Sequence, residues 1–344
     1  MTMQVNFADR LLRAIDEKEN LGIVGLDPDV RYIPQFIEDM ALDKFHDGRY
    51  GNQFAAEAYA LLEFNKRIID AVADIVPAVK PQIAFYEIYK SEGIVAFDET
   101  IKYARSKGLI VIEDGKRNDI GNTAEKYSAG HLGRVPLLCR KGESRLEVPS
   151  FDLDGLTVNV FLGSDCAMPF VTDCLHYGKG IFCLDKTSNP SAGELQDLLV
   201  LDEESQTKTK LSERVAHLIN KWGEGTDGIE GYRSVGAVVG ATYAGDATNL
   251  RTIMPNNIFL VPGLYTQGGQ PEDIPNFVNK STDSRIHGRG AIVNSSREII
   301  YAYRKPEWSL KHDEEEFAEA SREKAIKMKK DLTAALRNAQ KSRW

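Results

Sequence analysis

Eight short apolar runs, rich in β-branched residues, recur along the 344-residue chain and constrain its fold more than any other feature. Most are continuously apolar, as expected for strands of a parallel sheet that is covered on both faces. The runs are LGIVGLD ending at Asp27, PAVKPQIAF at Phe85, GLIVIEDGK at Lys116, GLTVNVF at Phe161, GIFCLDKTS at Ser188, VGAVVGAT at Thr242, NIFLVPGLY at Tyr265 and GAIVNSSR at Arg297.

Segments with helical periodicity lie between these runs. The sequence AAEAYALLEFNKRIIDAVADI places its apolar side chains close to one stripe, and DETIKYARSKG ends at a glycine suited to a helix C-cap. Strands alternating with helices predict an α/β fold, a (β/α)8 TIM barrel, which we expect to form a single domain over residues 1–344. The alternative is an open doubly wound sheet, which usually has fewer strands.

Three segments fall outside the alternation. We predict inserted segments at about 40–55 and 131–154, where the connections between runs are longer than the pattern requires. At the C-terminus, residues of about 312–340 carry apolar side chains three to eight positions apart, which predicts an amphipathic helix packed on the barrel exterior.

Composition narrows the class of function. The chain has 43 Lys and Arg against 51 Asp and Glu, a net charge of −8, whereas a protein that binds nucleic acid through its phosphates needs a basic face. No apolar run approaches the roughly 20 residues of a membrane span, and the acidic, amphipathic N-terminus does not resemble a signal peptide. We therefore expect a cytoplasmic protein without nucleic-acid or membrane partners.

Motifs for metals and nucleotide cofactors are missing from the sequence. The four cysteines form no C-x-x-C pair, and the six histidines form no H-x-x-x-H pair. Neither a G-x-x-x-x-G-K-[ST] loop nor a G-x-G-x-x-G fingerprint occurs. We expect no protein-bound metal and no cofactor.

Charged residues concentrate where the predicted strands end, which is where barrels of this kind carry their chemistry. Asp114 and Lys116 are two apart, so on a regular strand their side chains leave from the same face. A surface ion pair, worth about 0–1 kcal/mol, is the alternative explanation. Asp27 and Lys80 at other strand ends, with Asp119 just beyond Lys116, favour a functional site.

The last two runs suggest a phosphate site. In this fold, phosphate is frequently held by the loops after the seventh and eighth strands. VPGLYTQGG supplies a glycine-rich loop whose N–H groups can approach an anion, and VNSSR ends at Arg297, whose guanidinium can grip phosphate with paired donors. The glycines alone would fit a plain turn, but together with Arg297 they favour phosphate.

The charges also limit the reaction. Lys80 or Lys116 could form a Schiff base, as in an aldolase, but neighbouring carboxylates raise the pKa of a lysine and keep it protonated. An ammonium group acts as a general acid and stabilises negative charge instead. This favours protonation of a carbanion that develops on the substrate.

At these residues the chain resembles the orotidine 5′-phosphate decarboxylase family, from Gly25 to Tyr301, and most closely its longer class, which includes many bacterial members. The D-x-K-x-x-D motif of Asp114, Lys116 and Asp119, continued by IGNT, carries most of the resemblance. GLDPD, KTSNP, PGLYTQGG and SSREIIY follow in the expected order. Many relatives have glycine where Ser296 precedes the phosphate-binding arginine.

The resemblance implies decarboxylation of orotidine 5′-phosphate to UMP without metal or cofactor. Lys116 would protonate C6 as CO₂ leaves, Asp114 would face the substrate carboxylate, and Lys80 would join the charged network beside the ribose. Asp119, with Thr123, would reach into the active site of a second subunit, which implies a homodimer with shared sites.

The resemblance also assigns six residues to substrate binding. They are Asp27 and Thr123 for the ribose hydroxyls, Ser188 for the pyrimidine, Pro262 and Gln267 on the loop that closes over base and phosphate, and Arg297 for the phosphate.

Two other functions fit parts of the pattern. A related barrel sugar-phosphate decarboxylase would place a divalent metal on the acidic cluster, and chelation would then abolish its activity. A non-catalytic nucleotide-phosphate binding protein would have no need of Lys116 and would bind its ligand without turnover.

Overall fold

The computed structural model describes residues 5–46, 48, 52–201, 206–265 and 268–344. Gln267, one of the predicted substrate-binding residues, lies outside them.

The strands of the described residues include all eight apolar runs. They are β1 (Gly22–Leu26), β2 (Ala78–Pro81), β3 (Ile110–Arg117), β4 (Arg134–Pro136), β5 (Glu147–Pro149), β6 (Gly155–Val158), β7 (Gly180–Lys186), β8 (Leu199–Leu201), β9 (Lys208–Lys210), β10 (Arg233–Val239), β11 (Asn257–Val261) and β12 (Ala291–Ser295).

Helices occupy most of the connections between these strands. They are α1 (Phe7–Lys18), α2 (Gln35–His46), α3 (Gln53–Val72), α4 (Ala84–Glu87), α5 (Lys90–Ser106), α6 (Gly121–His131), α7 (Ser164–Tyr177), α8 (Gly193–Gln196), α9 (Leu211–Trp222), α10 (Ala244–Ile253), α11 (Arg297–Ile300), α12 (Pro306–Ser309) and α13 (Phe317–Asn338).

The predicted barrel is confirmed. Within the described residues, eight parallel strands close in the order β1-β12-β11-β10-β7-β6-β3-β2. The register pairs Gly25 with Lys80 between β1 and β2, and Leu156 with Ile181 between β6 and β7. β1, β2 and β6 are buried along their whole length, which explains why these sequences lack polar alternation.

The chain divides into two compact units. The first unit comprises Met1–Arg13, Lys116–Ile292 and Ala335–Trp344, and the second comprises Ala14–Gly115 and Val293–Ala334. The division falls within β3, directly before Lys116.

Aromatic stacking joins the C-terminal helix to the core of the second unit. Phe64 on α3 stacks on Phe317 at the start of α13, with ring centroids 5.0 Å apart. The ring of Tyr301 also stacks on Phe64, with ring centroids 5.8 Å apart. Burying one such side chain contributes about 1.5–3 kcal/mol, so this contact makes α13 part of the folded core. The predicted C-terminal helix is confirmed.

The first unit has an aromatic contact of its own. Phe7, at the start of α1, meets Phe182 of β7 edge-on with ring centroids 6.0 Å apart. Both side chains are fully buried. The contact explains the amphipathic pattern of the N-terminal sequence, because α1 turns its apolar face inward.

The two inserted segments contain regular structure. α2 lies in the first connection, and α3 begins after Asn52, whose side chain accepts a hydrogen bond from the N–H of Ala55 at 3.2 Å. In the second segment β4 and β5 pair antiparallel, with Val135 opposite Val148. These are the extra connecting elements of the predicted fold.

A further hairpin was not foreseen. β8 and β9 pair antiparallel, with Val200 opposite Thr209. The strands are three residues each, and the second, Lys-Thr-Lys, has no apolar side chain, so hydrophobic periodicity could not indicate it.

No helix in the described part of the chain is long and apolar enough to cross a membrane.

Candidate active site

An ion pair between a buried lysine and a half-buried aspartate joins β2 and β3. Lys80 is the third residue of β2 and is almost fully buried. Its Nζ lies 2.8 Å from Oδ2 of Asp114 on β3. Because the barrel interior offers little water, this hydrogen-bonded geometry is needed to offset the desolvation of both charges.

The same pair decides the charge state of Lys80. Burial alone would lower the pKa of Lys80, but the negative charges of Asp114 and Asp27 outweigh burial, and the pKa is raised. Lys80 is therefore an ammonium group at neutral pH. A protonated lysine is a donor and a positive charge, not a nucleophile.

Tyr301 fixes the end of β1 beside this pair. Its hydroxyl donates to the carbonyl oxygen of Asp27 at 2.9 Å and accepts from the N–H of Asp29 at 2.7 Å. The residues that follow β1 and β2 line an open cleft of about 450 Å³, with Phe85 and Ile88 among its apolar walls. The side chain of Ile88 is 63% exposed.

Arg297 lies in a turn that the C-terminal helix holds. It is exposed and begins α11 directly after β12. The next residue, Glu298, pairs with Lys324 of α13 at 2.8 Å and with Lys305 at 3.2 Å. Burial alone would raise the pKa of Glu298, but these two ammonium groups hold it below its ordinary value. The turn is thus anchored while its arginine faces solvent.

The side chain of Ser296, at the position where the resemblance implies a glycine in many relatives, fits in space beside Gly25 of β1. A Cβ at Gly25 of β1 would collide with Oγ of Ser296. The same hydroxyl accepts a hydrogen bond from Nδ2 of Asn294 at 3.2 Å. Glycine at position 25 therefore allows a side chain at position 296.

Lys116 has an unusual backbone conformation. The residue is exposed and has a φ of 45°, in the left-handed region that side chains other than glycine rarely occupy. Its N–H donates to Oγ1 of Thr157 on β6 at 2.9 Å. Lys116 lies within β3, but its left-handed φ departs from the regular strand geometry that the spacing of Asp114 and Lys116 assumed. Backbone strain of this kind concentrates at functional sites.

The loop after Lys116 is tied to the end of β6. Nδ2 of Asn118 donates to the carbonyl oxygen of Asn159 at 2.8 Å, and the N–H of Asn159 donates to the carbonyl oxygen of Arg117 at 2.8 Å. Asp119 accepts from the N–H of Ile120 at 2.8 Å. Ile120 is 49% exposed and Thr123, on the first turn of α6, is exposed.

The remaining predicted site residues of the first unit follow β7 and β11. Ser188 is half-buried in the loop after β7. Pro262 follows β11, and its carbonyl oxygen accepts from the N–H of Ala241 at 2.9 Å. The glycine-rich loop closes on itself, because the N–H of Gly269 donates to the carbonyl oxygen of Gly263 at 3.2 Å.

The structure thus groups Asp27, Lys80 and Asp114 around one charged pair in the second unit, which also holds Arg297. The other described candidates lie at strand ends or loops of the first unit. They are Lys116, Asp119, Thr123, Ser188 and Pro262. Across the described ranges, no group of three or more His, Cys, Asp or Glu side chains is placed to hold a metal ion.

Sequence comparison relates the chain to decarboxylases over nearly its whole length. Residues 23–311 match the model of the orotidine 5′-phosphate decarboxylase / HUMPS family. An orotidine 5′-phosphate decarboxylase of Caldicellulosiruptor saccharolyticus is 42% identical over 300 residues, covering 87% of this chain and 91% of the relative. One from Rhodopirellula baltica is 40% identical over 328 residues, covering 95% and 99%.

Structural comparison gives the same family of folds. The OMP decarboxylase of Leishmania donovani superposes with a TM-score of 0.67 at 25% identity, covering 96% of this chain and 99% of that one.

Two buried charged residues at the end of β7 were missed by sequence reasoning. Asp185 and Lys186 stand in the run GIFCLDKTS, where charged residues interrupt an apolar strand, and this was the available signal. Lys186 is fully buried. In the described part of the chain, neither carboxylate oxygen of Asp185 has a hydrogen-bond partner. Burial raises the pKa of Asp185 well above its ordinary value of 3.8, so the folded chain holds this proton to a higher pH than the unfolded chain does.

We expect Asp185→Asn to stabilise the protein at pH 7.5 relative to wild type, with the difference shrinking towards pH 4. The folded wild type holds a proton that the unfolded chain has lost above about pH 4, so wild-type stability falls as pH rises, whereas asparagine has no proton to lose. Thermal unfolding of both proteins between pH 4 and 8 measures this.

The control is Asp283→Asn, at an exposed aspartate whose pKa the hydrogen bond from Arg285 lowers. For this pair, the stability of the wild type relative to the variant should rise with pH or stay constant. A pH-independent difference between Asp185→Asn and wild type would contradict a neutral Asp185.

Proposed function

The chain belongs to the orotidine 5′-phosphate decarboxylase / HUMPS family, and from that premise we propose that it converts orotidine 5′-phosphate to UMP and CO₂. The match covers most of the chain, and the relatives that carry this name are up to 42% identical. We further propose that the reaction takes place in the cytoplasm and uses neither a metal ion nor a cofactor.

The observation that carries the mechanism is the Lys80–Asp114 pair, 2.8 Å apart, in which Lys80 is buried and Asp114 is half-buried. Loss of CO₂ from C6 leaves an electron pair in the plane of the pyrimidine ring, without ready conjugative delocalisation. Such a carbanion needs positive charge and a proton donor close by. Because its pKa is raised, Lys80 is protonated and provides a positive charge at the end of β2.

We assign the proton transfer to Lys116. The electron pair of the broken C6–CO₂ bond takes a proton from its Nζ, and the neutral amine is then reprotonated from solvent. Its left-handed backbone and exposed side chain support the assignment, because strained residues at strand ends are typical of active sites.

Asp114 faces the substrate carboxylate in this proposal. Two unit charges about 4 Å apart interact by roughly 4 kcal/mol at an effective dielectric constant of about 20. For two carboxylates this is a repulsion that disappears as neutral CO₂ leaves. Lys80 holds Asp114 in place, so that the carboxylate cannot turn away from the substrate.

The rest of the substrate is held away from the reacting bond. Arg297 binds the phosphate, supported by its exposure in a turn that Glu298 and Lys324 anchor. Remote binding of this kind can hold the reacting carbon in place and drive loop closure. The remaining contacts are Asp27 and Thr123 to the ribose, Ser188 to the pyrimidine, and Pro262 and Gln267 to the base and phosphate.

We also propose a homodimer in which Asp119 and Thr123 enter the partner's site. Ile120, between these two residues, is 49% exposed, and Phe161 and Leu162, which follow β6, are 77% and 46% exposed. A second copy of the chain would cover such apolar side chains. The small-molecule substrate and this second copy are the partners that we expect.

Lys116→Ala should lower kcat for orotidylate by at least about 10²-fold, because general acids typically supply 10²–10⁴-fold. Binding of UMP should persist, since phosphate and base contacts remain. Decarboxylation is followed by the loss of orotidylate absorbance, in buffer with a chelator.

A variant that keeps more than about a tenth of wild-type kcat would exclude Lys116 as the general acid. Wild-type activity that the chelator abolishes would favour a metal-dependent decarboxylase. If the wild type binds nucleotide without turnover in any buffer, the chain is a binding protein.

The shared-site dimer predicts complementation between two variants that are each nearly inactive. Subunits with Asp119→Ala and subunits with Lys116→Ala are mixed in equal amounts under conditions that allow exchange. About half of the dimers are then mixed, and one of their two sites is intact, so roughly a quarter of wild-type activity should return.

Exchange is monitored with differently tagged subunits. If exchange occurs and activity stays at background, Asp119 acts within its own chain.

A further inference from the structure

The loop after β7, residues 187–197, carries Ser188 and is closed at its base by side chains. Oε1 of Gln196 accepts from the N–H of Thr187 at 2.9 Å, and Nε2 of Gln196 donates to Oγ1 of Thr187 at 2.8 Å. The middle of the loop, at Asn189 and Pro190, is exposed. The conformation of Ser188 therefore depends on how the two ends of the loop are held.

A buried lysine lies at this base. The side chain of Lys186 is fully buried, and its Nζ lies 2.8 Å from Oδ1 of Asp197, the residue after α8. Nζ is also 4.3 Å from the ring centroid of Tyr243, within range of a cation–π contact. The ion pair of Lys186 and Asp197 thus joins the end of β7, before Ser188, to the end of α8, after it.

A second ion pair continues outward from Asp197. Nζ of Lys210, at the end of β9, lies 3.2 Å from Oδ1 of Asp197 and 2.7 Å from Oδ1 of Asp246 on α10. The ion pair with Lys186, followed by that with Lys210, lowers the pKa of Asp197, which stays ionised at neutral pH. The unforeseen β8–β9 hairpin therefore supports the loop through Lys210.

The backbone at Ser188 is confined from the other side by β10 and the turn after it. A Cβ at Gly240 would lie 2.8 Å from the N, Cα and Cβ atoms of Ser188, so only glycine permits this approach. The hydroxyl of Tyr243 donates to the carbonyl oxygen of Asn189 at 3.3 Å. Ser188 is thus fixed between Gly240, Tyr243 and the base of its own loop.

We propose that Lys186 is a positioning residue for the pyrimidine contact, acting through its ion pair with Asp197 on the Ser188 loop. The inference rests on the proposed function, which assigns Ser188 to the base. Stability does not account for the pair, because the charge of Lys186 is costly to bury while its partner Asp197 is 38% exposed. The ion pair, with its two atoms 2.8 Å apart, instead favours the loop conformation that brings Asp197 to Lys186.

The test measures base recognition separately from phosphate recognition. Lys186→Met keeps the length of the side chain and removes its charge. Calorimetry should show that its dissociation constant for UMP rises about tenfold or more, while that for ribose 5-phosphate, which has no base, is unchanged. Lys186→Arg should restore UMP affinity in part, and Lys102→Met, at an exposed lysine of α5, should match wild type.

A double-mutant cycle separates positioning from a general loss of structure. If Lys186 acts through Ser188, Lys186→Met should change UMP affinity by less than about threefold when Ser188 is already alanine. The proposal is overturned if the effects of Lys186→Met and Ser188→Ala on UMP affinity multiply. It is also overturned if Lys186→Met weakens the binding of UMP and of ribose 5-phosphate equally. If Lys186→Met does not fold, Asp197→Asn enters the same cycle with the same criteria.

The two hypotheses fail in different ways. Absence of orotidylate turnover by the wild type would refute the proposed function. Wild-type turnover together with unchanged UMP affinity in Lys186→Met would refute the role of Lys186 alone.

Discussion

The ion pair between buried Lys80 and half-buried Asp114 is the interaction on which the proposed chemistry depends. The charge of Lys80 would be costly to bury alone, because without Asp114 it would be left uncompensated. Together, 2.8 Å apart, they give fixed positive and negative charge at the ends of β2 and β3 before any substrate arrives. Because these charges are already oriented, little reorganisation is needed during the reaction.

Other features of the structure hold the elements around this pair. Tyr301 ties the end of β1 through two hydrogen bonds and also stacks on Phe64, so the C-terminal part of the chain supports the first strand. Lys324 of the C-terminal helix anchors Glu298, next to the proposed phosphate ligand. A helix outside the strand–helix alternation thereby takes part in positioning Arg297.

The barrel and its charged strand ends could be predicted from sequence because both are local signals. Continuous apolar runs marked the strands, and parallel strands bring their C-terminal ends together, which predicted Lys80 and Asp114 at the same end of the barrel. The left-handed backbone of Lys116 could not be predicted from a two-residue spacing. The pairs Lys186–Asp197 and Glu298–Lys324 were also hidden, because they depend on how distant segments pack.

Asp114→Asn tests most directly whether Asp114 opposes the substrate carboxylate. If it does, KM for orotidylate should fall by about tenfold or more relative to the inhibition constant of UMP, which lacks the carboxylate, while kcat falls. Unchanged kcat and KM, or equal shifts in KM for orotidylate and in the inhibition constant of UMP, would contradict it.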